Sequence, residues 1–179
     1  MIPETKIPDK ELRNSLERVI NPPSLINEEF NINKLKKIRY LNLNSSNIKN
    51  LKGIELCKNV QVLHLADNSF IDISPLTKLR KLTWLDLSAN PQIRWDKLTK
   101  PIPTVERLFL RSCQLANDLM LKQFPNLREV SLFHNKISQI EYLYELKRLD
   151  SVDLLHNPIT QVDLDVYSNI TGVCIMAKK

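Results

Sequence analysis

Glycine is almost missing from this sequence. The 179 residues contain two, Gly53 and Gly172, and they stand far apart. Loops that cradle phosphate need glycine where backbone must approach the ligand closely, so dinucleotide- and nucleoside-triphosphate-binding folds start badly. Cysteine is almost as sparse. Cys57, Cys113 and Cys174 are odd in number, widely spaced and without a Cys-x-x-Cys pair. That argues against a disulfide framework or a zinc ribbon and fits a reducing compartment. No apolar run approaches the ~20 residues needed to span a bilayer. The opening stretch MIPETKIPDKELRN lacks the apolar core of a secretion signal. A cytoplasmic chain is therefore expected, the alternative being a secreted one whose signal has been removed. Charge of one sign is not dominant either. Lys and Arg number 26 against 20 Asp and Glu, a net charge of +6, which reads as a solvated lysine-rich surface.

What is present is a repeat. The pattern LxxLxLxxNxI begins at Ile38 as IRYLNLNSSNI and returns at Val60 as VQVLHLADNSF. It follows at Leu82 as LTWLDLSANPQI, at Val105 as VERLFLRSCQL, at Leu127 as LREVSLFHNKI and at Leu149 as LDSVDLLHNPI. The interval is 22 residues except for the third, which is one longer. Such self-similarity marks stacked supersecondary units. A final ITGVCIM from Ile170 reads as a last strand.

The chemistry of the pattern predicts its structure. Alternating apolar residues have the period of a half-buried strand, so Leu41/Leu43, Leu63/Leu65, Leu85/Leu87, Leu108/Leu110, Val130/Leu132 and Val152/Leu154 should point inward. Neighbouring copies would stack as parallel strands about 4.8 Å apart. Asn68, Asn90, Asn135 and Asn157 occupy a position where an inward amide can satisfy backbone groups as the chain turns. Ser46 and Cys113 replace it in two copies, and Cys113 reads as structural. Apolar residues three apart, such as Ile73/Leu76/Leu79 and Ile140/Leu143/Leu146, predict short helical or 3₁₀ turns on the convex side. No copy can bury its apolar face alone, so the stack supplies the core and its ends need caps. Asp9 to Ile20 reads as a capping helix with Leu12, Leu16, Val19 and Ile20 on one face, ended by Asn21-Pro22-Pro23. Phe30, Ile32 and Leu35 then lead into the first strand. The expectation is an α/β solenoid: a leucine-rich repeat right-handed superhelix with a parallel concave β-sheet. Residues 1–37 form the N-terminal helical cap, 38–169 six repeats, and 170–179 a last strand and a minimal, charged tail.

The run IPDKELRNSLERVI, the segment Asn50 to Glu55 with its N-L-x-G-I-E pattern, and D-I-S-P-L at Asp72 to Leu76 resemble the internalin-type repeat of bacteria. The resemblance covers most of the chain and is densest from Ile7 to Leu98. It implies a curved bacterial solenoid that binds proteins through its concave face. A following immunoglobulin-like module and a cell-wall anchor, usual in secreted members, are absent from these residues. The segment VERLFLRSCQLANDLML also lacks the DISPL turn.

Strand residues flanking the inward leucines should face out of the sheet. They form four columns: Tyr40, Val62, Trp84, Arg107, Glu129, Ser151; Asn42, His64, Asp86, Phe109, Ser131, Asp153; Asn44, Ala66, Ser88, Arg111, Phe133, Leu155; and Ser45, Asp67, Ala89, Ser112, His134, His156. Aromatics and arginine dominate binding hot spots, and an exposed Trp or Phe calls for a partner. The predicted partner-binding set is Tyr40, His64, Trp84, Asp86, Arg107, Phe109, Arg111, Phe133, His134, Asp153 and His156. Charge on this face is mixed, while the lysine surplus falls in connecting segments such as Lys36-Lys37, Arg80-Lys81 and Lys147-Arg148. Nucleic acid requires a continuous basic stripe, so a protein partner ranks above it. His134 and His156, about 5 Å apart by strand spacing, lack enforced further ligands, so no metal or other cofactor is expected. An open sheet offers no oxyanion pocket for Ser112, Ser131 or Cys174, and no enzymatic activity is expected. The function read from the sequence is a protein-binding scaffold, in one version an immunity protein masking a toxin. The alternative is a secreted or translocated factor that binds a host protein.

Overall fold

Seven strands of three residues each form one sheet. They are β1 Tyr40–Asn42, β2 Val62–His64, β3 Trp84–Asp86, β4 Arg107–Phe109, β5 Glu129–Ser131, β6 Ser151–Asp153 and β7 Cys174–Met176. They lie in chain order, every neighbouring pair parallel, with Leu41, Leu63, Leu85, Leu108, Val130 and Val152 on one register line. The structure, a computed structural model, describes residues 2–3, 5–22 and 31–176. The expectations for Pro23, Phe30 and the last residues of the tail lie outside that range. All twelve predicted inward side chains are buried, none more than 2% exposed. Each buried leucine contributes roughly 1.5–3 kcal/mol relative to exposure, and only the rungs above and below can provide that burial.

Beyond each strand the chain must turn away from the sheet, and it does so almost without glycine. Ser45, Asp67, Ala89, Ser112, His134 and His156 all hold a left-handed backbone, with φ between 48° and 59°. The fourth predicted column is thus a row of corners past the strands. A left-handed non-glycine residue costs about 1–2 kcal/mol, and two sets of hydrogen bonds offset it. Ladder bonds continue past the strands, as in Ser45 N–H to Ala66 O, Asp67 N–H to Ser88 O and Ala89 N–H to Arg111 O. Below them runs the asparagine ladder. Asn90 Nδ2 donates to the carbonyls of Leu65, Leu87 and Ser88 at 2.9–3.0 Å, and its Oδ1 accepts from Asn68 N–H at 3.1 Å. Asn68, Asn135 and Asn157 repeat the arrangement. In the copies where Ser46 and Cys113 stand in for asparagine, the following residues Asn47 and Gln114 are left-handed as well.

Cys113 fills the asparagine position as a weak donor, its Sγ 3.4 Å from the Leu87 carbonyl. Burial pushes its thiol up to about 11 and that of Cys57 up to about 12; Cys174 alone is exposed. The native chain is expected to release one equivalent in an Ellman titration at pH 8, and three after denaturation; a second fast thiol would show that the sheet opens. The two raised thiols leave stability unchanged below the ordinary thiol range. They lower it as the pH climbs from about 9 toward 11–12, because the unfolded chain ionises first.

The N-terminal cap is helix α1, Lys10–Ile20. Leu12, Leu16 and Ile20 are buried, whereas Val19 is 44% exposed. Val19 was expected on the inner face, but the core is reached by the i, i+4, i+8 line through Leu12. Asp9 explains the D-x-x-L start. One carboxylate oxygen caps α1 through Leu12 N–H, and the other accepts Lys49 and Asn50 N–H from the first repeat. Gly53 lets the cap dock. Its φ is +102°, and a Cβ there would lie 2.6 Å from Ile7 Cγ1 and 2.7 Å from Lys6 O.

The C-terminal end holds a second helix, α2, Gln161–Thr171, which the sequence reading did not anticipate. Thr160 caps its start and left-handed Gly172 ends it. Ile170 and Thr171, expected in the last strand, therefore belong to the helix, and β7 starts at Cys174. Leu164 and Tyr167 dock α2 on the stack, with Tyr167 Oη donating to Leu143 O at 3.2 Å. The predicted turns opposite the sheet are 3₁₀, for example Ser74–Lys78 and Tyr142–Glu145. In the irregular fourth repeat, buried Asp118 substitutes for the DISPL turn and accepts the N–H groups of Glu141 and Leu143.

Candidate protein-binding face

The sheet positions its outward side chains by strand alternation, and the aromatic ones meet across it. Tyr40, His64, Trp84 and Phe109 come from four successive rungs and form a single run of rings. Centroid separations are 5.2 Å for Tyr40–His64, 4.3 Å for His64–Trp84 and 4.7 Å for Trp84–Phe109, all tilted. Arg111 closes the run, its guanidinium 5.3 Å from the Phe109 ring centroid. The rings alternate between the first and second outward columns, so the run zigzags along the sheet from rung to rung. That zigzag is legible in Y40-L-N, V-L-H64, W84-L-D and R-L-F109, though not in either column taken separately. Tyr40 is 59% exposed. His64, Trp84 and Phe109 are half-buried against one another and take no part in the core. Aromatic contacts of this geometry contribute about 0.5–1.5 kcal/mol each, which holds the rings in place on the sheet.

A second aromatic group sits at the corners of the last repeats. Phe133 meets His156 edge-on at 5.0 Å, and the His134 and His156 rings are 6.1 Å apart. Both histidines are exposed. Among the described residues no group of three or more His, Cys, Asp or Glu gathers as a metal site.

One predicted contact residue, Asp153, is committed elsewhere together with its column neighbour Ser131. Asp153 is 6% exposed and Ser131 3%. Ser131 Oγ donates to Asp153 Oδ2 at 2.9 Å, Leu155 N–H donates to Asp153 Oδ1, and Arg111 Nε donates to Ser131 Oγ. Asp153 is thus a buried support that orients Arg111 through Ser131, because a buried carboxylate must be hydrogen-bonded; it is not the exposed contact expected of it. Asp86 remains half-exposed but spends one oxygen on Ser88 N–H. Arg107 and Arg111 are exposed, and Arg107 pairs with Glu129 at 3.5 Å. Beside Trp84, a groove of about 500 Å³ runs along the strand entrances, lined by Val62, Thr83, Glu106, Arg107, Arg128, Glu129, Asp150 and Ser151. Glu106, Arg128 and Asp150 lie outside the four outward columns, and the structure brings them together there.

Among the described residues no helix is long and apolar enough to cross a membrane. A family model for leucine-rich repeats in two copies matches residues 125–166. No curated protein matches in sequence. Among solved structures, internalin C2 of Listeria monocytogenes is 20% identical, with 98% of this chain and 96% of that one covered and a TM-score of 0.65. Internalin F of the same organism is 17% identical over 98% of this chain and 71% of that one, with a TM-score of 0.45. A leucine-rich repeat protein of Leptospira interrogans is 24% identical over 82% of this chain and 33% of that one, with a TM-score of 0.44. The repeat register, the family match and the agreement with internalin C2 over nearly its whole length coincide. The chain thus carries leucine-rich repeats, matched by the family model over residues 125–166, in a solenoid whose fold is similar to that of internalin C2.

Proposed function

We propose that this chain is a non-enzymatic scaffold that binds another protein across the exposed face of its sheet. The observation that carries this reading is the ring run Tyr40–His64–Trp84–Phe109 with Arg111 stacked at its end. Rigid aromatics and a guanidinium lose little freedom on binding and are the residue types at interface hot spots. Arg107, Phe133, His134 and His156 extend the contact surface, with Asp86 at its margin. In the version we favour, the chain acts in the cytoplasm as an inhibitor or immunity protein whose sheet face masks the active site of a partner toxin.

The test is a titration. A partner is isolated from source cells on immobilised chain, identified by mass spectrometry and measured against wild type and Trp84→Ala/Phe109→Ala. The double variant is expected to bind at least about 30-fold more weakly, the equivalent of one hot spot of about 2 kcal/mol. Unchanged affinity in a variant that still unfolds cooperatively would remove the sheet face from the interface. The inhibitor version further requires that the partner have an activity which the chain silences.

A further inference from the structure

The row of residues just before the strands divides into two halves of different electrostatic character. In the C-terminal half, charges alternate and pair: Arg128 Nη1 lies 3.3 Å from Asp150 Oδ2, and Arg107 Nε 3.5 Å from Glu129 Oε2. In the N-terminal half, a groove of about 380 Å³ is lined by Lys36, Lys37, Arg39, Lys81, Asn59 and Gln61, with no carboxylate among the described residues of its wall. The Lys36 ammonium donates to Asn33 Oδ1. Lys37, Arg39 and Lys81 form no ion pair among the described residues. The groove is built: Asn59 Nδ2 donates to Lys36 O, and Gln61 N–H donates to Arg39 O, which ties its walls across repeats. Four cations that line one groove with no counter-charge among the described residues repel one another, and an anionic occupant relieves that repulsion.

We propose that this groove is a subsite for a short acidic segment, two or three neighbouring Glu or Asp side chains, of the protein that binds the sheet face. The inference rests on the protein-binding reading and specifies the partner's chemistry. Arg39 and Lys81 flank rungs two apart, about 10 Å by strand spacing, a span that two or three acidic residues of an extended peptide cover. The groove adjoins the strands that carry the ring run: Arg39 immediately precedes Tyr40, and Lys81 lies three residues before Trp84. An acidic element seated there would place the residues beside it on the rings. Nucleic acid fits less well. Its backbone charge continues past three rungs, and along this row it would meet Glu106 and Asp150.

The experiment uses the full chain and a fluorescein-labelled peptide carrying four consecutive glutamates, followed by anisotropy at 50 mM salt. Wild type should bind it, and Lys37→Gln/Arg39→Gln/Lys81→Gln should weaken binding at least 10-fold. Lys97→Gln/Lys100→Gln/Lys122→Gln removes the same charge away from the groove and should change affinity less than 3-fold. The readout is the acidic peptide alone, so a failure of the groove is distinguishable from a failure of the sheet face, which the partner titration reads. The proposal is overturned by no binding at millimolar peptide, by equal loss in the two triple variants, or by a single-stranded tetranucleotide that binds the groove more tightly than the peptide.

Discussion

Replacing Asn90 by alanine is expected to lower the unfolding free energy by about 3 kcal/mol, at the upper end of what leaving a buried polar group unsatisfied costs. Asn90 is 1% exposed and bridges two repeats. Its removal orphans Asn68 N–H and leaves Leu87 O with only the weak Cys113 thiol donor. Two companion variants make the origin of the loss visible. Asn90→Cys, which copies the solution found at Cys113, should cost about half as much, since a thiol donates weakly but excludes water equally well. Asn90→Asp is close to isosteric, yet it turns an acceptor toward carbonyl oxygens that need a donor, and should cost at least as much as alanine. Urea unfolding followed by far-ultraviolet circular dichroism measures all three. If Asp and Asn prove equivalent at pH 7, the amide ladder does not hold the corners.

Gly53→Ala is the second large effect, about 3 kcal/mol, from a left-handed backbone that disfavours a Cβ and a small-to-large clash in a packed site. The Cβ would meet Ile7 and the Lys6 carbonyl, and both belong to the segment that leads into α1. The expected consequence is undocking of the cap and exposure of the first rung. Hydrogen exchange should show it as lost protection in α1 and around Leu41, with β5 and β6 little changed. Gly172→Ala is the control. Gly172 is also left-handed, at φ +70°, but nothing lies within 4 Å of its Cβ position, so only the backbone cost of about 1 kcal/mol applies. Equal losses in the two variants would mean that the close approach at Gly53 contributes nothing.

The repeat register was readable from the sequence because it is written locally. Leu41/Leu43 and its five counterparts, the asparagine positions and the Asp9 cap each depend on neighbours a few residues or one repeat away. Helix α2 was missed for the opposite reason. Its apolar residues are split between the buried Leu164 and Tyr167 and the exposed Val162, Val166 and Ile170, so no clean one-sided stripe announces it. The left-handed corners were equally hidden, since Ala89 and His134 carry no turn signature and hold their conformation only through bonds to the next rung.

By itself the sequence determined the parallel stack, its inward faces and the placing of aromatics and arginines on the outer side. Alternation and period are properties of a chain, and they survive without knowledge of what lies across the sheet. Tertiary structure alone decided that Tyr40, His64, Trp84 and Phe109 form one continuous run, that Asp153 is buried beneath Arg111 and Ser131, and that Lys36, Lys37, Arg39 and Lys81 share a groove with no counter-charge among the described residues. Those are distances between side chains on different rungs, set by twist, rotamer and stacking, and charge or ring contact acts through distance in space.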